Sequence, residues 1–276
     1  MNALEIRGLT KRRGDLALQG LDLTLPAGCI MGLIGENGAG KSTAIRLILN
    51  GLRRDGGTIA VYGKDNRALT ALEREDIGVV LDEVGLPEYM NAQQIGCMMA
   101  GIFTRWQPEV YRDYLRRLAL PEDKPFKDFS RGMRMRLGLA AALSHQPKLL
   151  LLDEATSGLD PVVRDDILTI LSDFTRDEEH AVLISSHIVS DLEKICDYIA
   201  FLHRGRLLLC EEKDRLTEEY GILRGTTEGI EPAAVCGQRA TPYGTEYLLR
   251  RSAVPAGVPL GQVNIEDLFV FMAKEA

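Results

Sequence analysis

Long apolar runs are what this sequence most plainly lacks. No stretch approaches the ~20 apolar residues that a helix needs to cross a bilayer, and the longest, Ile95 to Phe103, is about half that. The opening MNALEIRGLTKRR has no apolar core of a signal peptide, so no secretory leader is expected. Five cysteines, an odd number with no Cys-x-x-Cys pair, argue against a zinc site or a disulfide frame and for a reduced, intracellular protein. There is no internal repeat and no low-complexity segment. The net charge of −7 removes bulk attraction to nucleic acid, although a local basic face can override such a balance. What is present is ordinary for a soluble globular chain: 276 residues, 45% apolar and 26% charged. That length suits one large domain or two modest ones and buries a sizeable core.

Residues 3–25 alternate apolar and polar in short runs and predict strands of an antiparallel edge subdomain. Cys29 to Leu33 predicts a short buried strand, followed by GENGAGKST and a helix from Ser42 to Leu49. Strands are expected at 58–63 and 77–81. From Asn91 to Leu120 the pattern is helical, 121–129 is a charged, proline-containing connection, and a further helix begins after Ser130 and ends near His145. LLLLD at 149–153 reads as a buried strand. Helices at 162–175 and 188–196 then alternate with strands at 181–186, 198–203 and 206–210. This order predicts an α/β fold: a core with a mostly parallel sheet, an antiparallel β edge subdomain, and a helical lobe over about 91–145. Beyond Tyr220 the chain turns rich in Gly, Pro and Thr, then ends in a strand, TEYLLRR, and a helix capped by Asn264 with Ile265, Leu268, Phe269 and Met272 on one face. Residues 1–220 are accordingly read as the main domain and 221–276 as a small α+β appendage.

Gly35-Glu-Asn-Gly-Ala-Gly40-Lys41-Ser42 fits G-x-x-x-x-G-K-[ST], with an apolar strand before it and a helix after it. Glycines at 35, 38 and 40 let the N–H groups of a loop through Asn37 and Ala39 converge on one phosphate. The helix opening at Ser42 and Thr43 adds its positive end. Lys41 places an ammonium on the outer phosphates, and the Ser42 hydroxyl is a hard oxygen suited to magnesium. Kinases, GTPases, helicases and transport ATPases all share this motif. The apolar strand ending in Asp153 sets a carboxylate beside the loop that can hold magnesium directly or through water. Glu154 then points toward an attacking water and is the candidate general base.

With these residues in place, the chain closely resembles the nucleotide-binding subunits of ATP-binding cassette (ABC) transporters over residues 3–215. Gly35–Thr43 resembles the Walker A loop, Leu149–Glu154 the Walker B strand, Ser157–Asp160 the D-loop and His187 the switch histidine, while Phe129–Met133 stands where the signature Leu-Ser-Gly-Gly-Gln belongs. The resemblance implies a P-loop NTPase core that hydrolyses ATP with Mg2+. It implies ATP held between the Walker A loop of one subunit and Ser130, Arg131, Gly132 and Met133 of another, with Asp160 shaping the interface and His187 touching the γ-phosphate or the water. The partner is then a second copy or a paralogous cassette. Ser130 equally reads as a simple helix N-cap.

Three positions depart from the family. Arg13 stands where an aromatic residue often stacks on adenine, and a guanidinium can stack there too. Asp82 replaces the Q-loop glutamine, as a magnesium ligand or as a plain charged turn residue. Arg131 and Met133 replace Gly and Gln in the signature. The overall pattern is similar to ABC-2 exporters of the bacitracin-resistance and acetoin-utilisation type. That similarity implies a separate polytopic membrane subunit, gripped by the 91–145 lobe, and a cytoplasmic cassette peripheral on the inner face of the membrane. Nine Lys/Arg against five Asp/Glu between Arg105 and Arg136 suit anionic headgroups or merely solvated helix faces, and Trp106 is a docking anchor or lobe core. A GTPase is disfavoured because no Asn-Lys-x-Asp occurs, and a chromosome-organising ATPase because only 88 residues, without heptads, separate Lys41 from Ser130. A soluble ATPase acting as a cytosolic switch, sensor or immunity factor is the alternative.

Overall fold

Alternation along the first 26 residues produces a long ribbon, β1 (Asn2–Arg13) with β2 (Leu16–Pro26), after which β3 (Ile30–Ile34) leads through the glycine-rich loop into α1 (Lys41–Ile48). Next come β4 (Gly56–Val61), β5 (Lys64–Asp65), a single-turn α2 (Ala71–Arg74) and β6 (Ile77–Val80). The lobe holds α3 (Ala92–Ala100), α4 (Pro108–Arg117) and α5 (Arg131–Leu143). The chain continues through β7 (Leu149–Asp153), α6 (Pro161–Phe174), β8 (Ala181–Ser186), α7 (Val189–Ile195), β9 (Tyr198–His203), β10 (Arg206–Glu212) and α8 (Lys213–Glu219). It closes with β11 (Tyr220–Arg224), β12 (Val235–Thr241), β13 (Gly244–Arg250) and α9 (Ile265–Glu275). This computed structural model describes residues 1–14, 16–255 and 257–275, without the side chains of Arg13, Leu16 and Glu275. The expected Arg13 contact with a base therefore lies outside the described side chains.

Five strands, β9-β3-β8-β7-β6, run parallel, and β10 closes one edge antiparallel to β9. The leucine run of β7 is buried on both faces, as a central parallel strand requires. Its residues split by pleat: Leu149 and Leu151 face the layer of β1, β2, β4 and α1, whereas Leu150 and Leu152 face α5, α6 and the lobe. Each of the four is fully buried, worth about 1.5–3 kcal/mol apiece. A second sheet, β2-β1-β4-β5, is the expected antiparallel edge.

The helical stretch expected at 91–120 is two helices. Asn91 and Gln94 form a reciprocal cap on α3, the helix stops at Gly101, and Pro108 opens α4 where its missing N–H costs nothing. The Tyr111 hydroxyl donates to the Ala92 carbonyl at 2.9 Å and ties the two together. Trp106 is half-buried with its ring 5.0 Å from that of Tyr111, so it belongs to the lobe core. Besides the packing of α5 on the sheet, a polar junction ties the lobe to the segment just before β6. Buried Glu75 accepts from Thr104 N and Oγ1 and from Arg105 N, His145 Nδ1 lies 3.1 Å from the Glu75 carbonyl, and Phe103 stacks on the His145 ring at 4.1 Å.

The Gly- and Pro-rich stretch after Tyr220 hides two strands, which with the expected one form the sheet β11-β13-β12. Asn264 caps α9 as expected, accepting from Asp267 N at 2.7 Å. Ile265, Leu268 and Phe271 are fully buried, with Phe269 and Met272 packed beside them. They share one apolar core with Leu192, Cys196 and Phe201 of the main body, Phe269 meets Phe201 edge-on at 5.2 Å, and Glu193 of α7 accepts from Ile265 N.

Candidate active site

Strands β3, β8 and β7 are adjacent and end level with one another, Ile34 opposite Ser186 and Ser185 opposite Asp153. Ligands of open parallel sheets sit in the crevice outside such carboxyl ends. The loop leaving β3 is held tightly from below. A Cβ on Gly35 would lie 2.4 Å from the Leu202 carbonyl, so no other residue fits there. Gly40 caps α1 at φ 112°, a conformation L side chains rarely adopt. Asn37 and Gly38 are exposed at the tip of the loop, Ala39, Gly40 and Thr43 are buried at its base, and Ser42 is half-buried in the first turn of α1.

Lys41 is buried and its ammonium turns back into the loop, donating to the Gly35 carbonyl at 2.7 Å and the Glu36 carbonyl at 3.3 Å. It also meets Glu154 Oε1 at 3.1 Å. The other oxygen of Glu154 is 2.6 Å from His187 Nδ1. Lys41, Glu154 and His187, far apart in sequence, thus form one continuous chain of charged and polar contacts. Glu154 holds this place at φ 53°, a left-handed conformation that is costly for a non-glycine residue and that clusters at functional sites. Its N–H donates to Ser185 O and lies 3.1 Å from Ser185 Oγ. Asp153, also buried, accepts from Ser185 Oγ at 2.6 Å.

Ser130 caps α5, its Oγ accepting from Met133 N at 3.3 Å. Asp160 caps α6, accepting from Val163 N at 3.1 Å, with Val162 largely exposed beside it. The two turns abut, because a Cβ on Gly132 would lie 3.0 Å from Leu159 Cδ2. Among the described residues, no hydrogen bond or ion pair joins 130–133 to the loop at 35–43. Asp82 lies two residues past β6, level with the site, but its carboxylate is engaged by Arg131 Nη2 at 2.5 Å. Among the described residues, no cluster of three or more His, Cys, Asp and Glu is built to hold a metal.

Sequence reasoning missed four supporting residues. Ser185 braces both Asp153 and Glu154, and the only trace of it is the serine pair before His187. Arg164 donates to the Leu159 carbonyl at 3.0 Å and faces buried Asp191 of α7 at 3.4 Å, tying the 157–160 turn to the helix behind His187. His203 is buried beneath the loop with Nδ1 3.7 Å from Glu36 Oε2. Neither Arg164, Asp191 nor His203 carries a local signal, because each contact spans two elements.

Comparison with known proteins gives the family. The ABC transporter family model matches residues 18–157. An uncharacterized ABC transporter ATP-binding protein, YhcH of Bacillus subtilis, is 33% identical over 93% of this chain and 87% of its own length. The bacitracin transport ATP-binding protein BcrA of Enterococcus faecalis is also 33% identical, over 82% of this chain and 73% of its own. A solved ATP-binding subunit of an ABC transporter superposes with a TM-score of 0.69 at 24% identity, covering 78% of this chain and 92% of that one.

Proposed function

This chain belongs to the ABC transporter family as an ATP-binding, ATP-hydrolysing subunit, and on that premise we propose how its residues divide the work. The loop Gly35–Thr43 binds the phosphates of ATP, with Lys41 as their counter-ion. Ser42 and Asp153 would hold Mg2+, a hydroxyl and a carboxylate being hard oxygen donors suited to this ion. The ion would neutralise charge on the phosphates. Glu154 is the general base for the attacking water and His187 orients that water or the γ-phosphate. Asp82 is engaged by a guanidinium, so we assign it no metal.

Ser130 and Gly132 meet the nucleotide of a second chain, and the 157–160 turn lines the seam between the two. The exposed Val162 beside Asp160 supports that seam. The chain acts with a separate membrane subunit docked on the 91–145 lobe, which places it on the inner face of the membrane; among the described residues no helix is long and apolar enough to span one. Export is the direction we propose, from the similarity to ABC-2 exporters. The observation that carries the reading is the Lys41–Glu154–His187 chain set beside Asp153 at the ends of three adjacent strands.

The test is to tag the Glu154→Gln protein in its own cells, solubilise the membranes and capture it with ATP and magnesium. A stoichiometric polytopic membrane protein is the expected companion. Recovery of the cassette alone, mostly from the soluble fraction, would overturn transport in favour of a cytosolic switch.

A further inference from the structure

Two of the charged departures from the family pattern, Asp82 and Arg131, are in contact with each other. Arg131 opens α5, whose first turn carries no acidic residue. A cation at the positive end of a helix is unfavourable on its own, and it remains there because a carboxylate is supplied from another segment. That carboxylate is Asp82, on the loop leaving β6, at 2.5 Å. On its far side the guanidinium flanks Gly158 of the 157–160 turn, 3.7 Å from where a Cβ would sit. Both side chains are about half exposed, 53% for Arg131 and 49% for Asp82, and they line one open cleft with Glu83, Glu88 and Arg134. An ion pair this wet is weak and exchanges partners at little cost. A terminal phosphate offers a guanidinium the same paired oxygens as a carboxylate, with more negative charge.

We propose that Asp82 is a built-in counter-ion for the N-terminal end of α5, held there by Arg131, and that the terminal phosphate of ATP carried by a second chain displaces it. The inference rests on the two-chain reading above. It makes Asp82 a positioning residue and Arg131 a phosphate contact: the carboxylate sets the anion affinity of α5 without touching the reacting atoms, and the guanidinium passes from carboxylate to phosphate as the chains close. Asp82 therefore opposes closure, and only while Arg131 is present to hold it.

The experiment uses the full chain carrying Glu154→Gln, so that bound ATP persists. Sedimentation velocity measures the ATP- and magnesium-dependent dimer in this parent, in Asp82→Asn, in Arg131→Gln and in the double variant, with thermal melts confirming that all four fold. Asp82→Asn is expected to tighten the dimer about 2- to 5-fold, the scale of one exposed charge interaction. Arg131→Gln is expected to weaken it, and Asp82→Asn is expected to have no effect in the Arg131→Gln background. An equal effect of Asp82→Asn with and without Arg131 would overturn the proposal, since the carboxylate would then act alone. Weakening by Asp82→Asn would overturn it as well, in favour of a ligand role for the carboxylate. If the parent binds ATP in a filter assay yet stays monomeric, the two-chain reading itself falls and takes the counter-ion with it.

Discussion

Glu154 is where the residue scale matters most. It links Lys41 to His187 and is forced to a positive φ, so its carboxylate is placed by backbone strain, by a lysine and by a histidine at once. Glu154→Gln is expected to slow phosphate release about 10²–10⁴-fold, the usual cost of losing a general base, while equilibrium ATP binding persists. Single-turnover hydrolysis beside nucleotide binding checks both halves. Ser185 is the less obvious residue. Its hydroxyl is the donor to a buried aspartate, and removing it leaves that carboxylate short of a hydrogen bond at about 1–3 kcal/mol. Ser185→Ala is expected to lower stability by that amount in denaturant titrations and to shift the magnesium dependence of the ATPase; an unchanged magnesium curve would remove Asp153 from the metal site.

Between elements, two cross-ties have consequences. The first is the junction of lobe and sheet. Hydrogen bonds from the Thr104 backbone, together with its hydroxyl, the Arg105 N–H and the nearby Arg105 charge, lower the pKa of Glu75 from its ordinary 4.5. Burial lowers that of His145 from 6.5. In both cases the folded form binds fewer protons than the unfolded chain between the two pKa values, so stability rises with pH there. The histidine contribution is intact above about pH 6.5 and is lost as pH falls through its folded value. The glutamate contribution follows the same rule below about 4.5. Acid is therefore expected to loosen this junction, histidine first, and hydrogen exchange at residues 75–76 and 103–105 between pH 7.5 and 5 measures it. His145→Gln is expected to flatten the upper part of that dependence. The second tie is Arg164, which spans the Leu159 carbonyl and Asp191. Asp191 is almost wholly buried, so Arg164→Met leaves a carboxylate without its charge partner, expected to cost about 3–5 kcal/mol in a chemical-denaturation series.

On the scale of the whole molecule, the C-terminal sheet and α9 share an apolar core with β9 and α7. Phe271 is fully buried there, and Phe271→Ala is expected to cost about 3–5 kcal/mol. Because the core is continuous, the loss should lower the midpoint of a single unfolding transition seen by both far-ultraviolet dichroism and Trp106 fluorescence. A separate early transition leaving Trp106 unperturbed would show that residues 221–276 melt independently. Burial also sorts the cysteines. Cys196 is enclosed and its thiol is pushed up by desolvation, whereas Cys97 is exposed on α3, so alkylation of the native protein is expected to reach Cys97 first.

The sequence by itself determined the parts that depend on short-range chemistry. The glycine spacing of 35–40, the leucines before Asp153, the caps Ser130 and Asn264 and the parallel alternation of strand and helix are all local, and local geometry follows from φ/ψ preference, capping and pleat. It left β11 and β12 unread, because each is short, is interrupted by a glycine and is held in place by pairing with β13. Only the tertiary structure decided which distant charges meet. Lys41 and His187 on one glutamate, Ser185 beneath Asp153, Arg164 between a turn and a helix, and Asp82 on Arg131 each join segments brought together by strand order. Contact between side chains depends on where the sheet and the lobe place them, and no spacing along the chain records that.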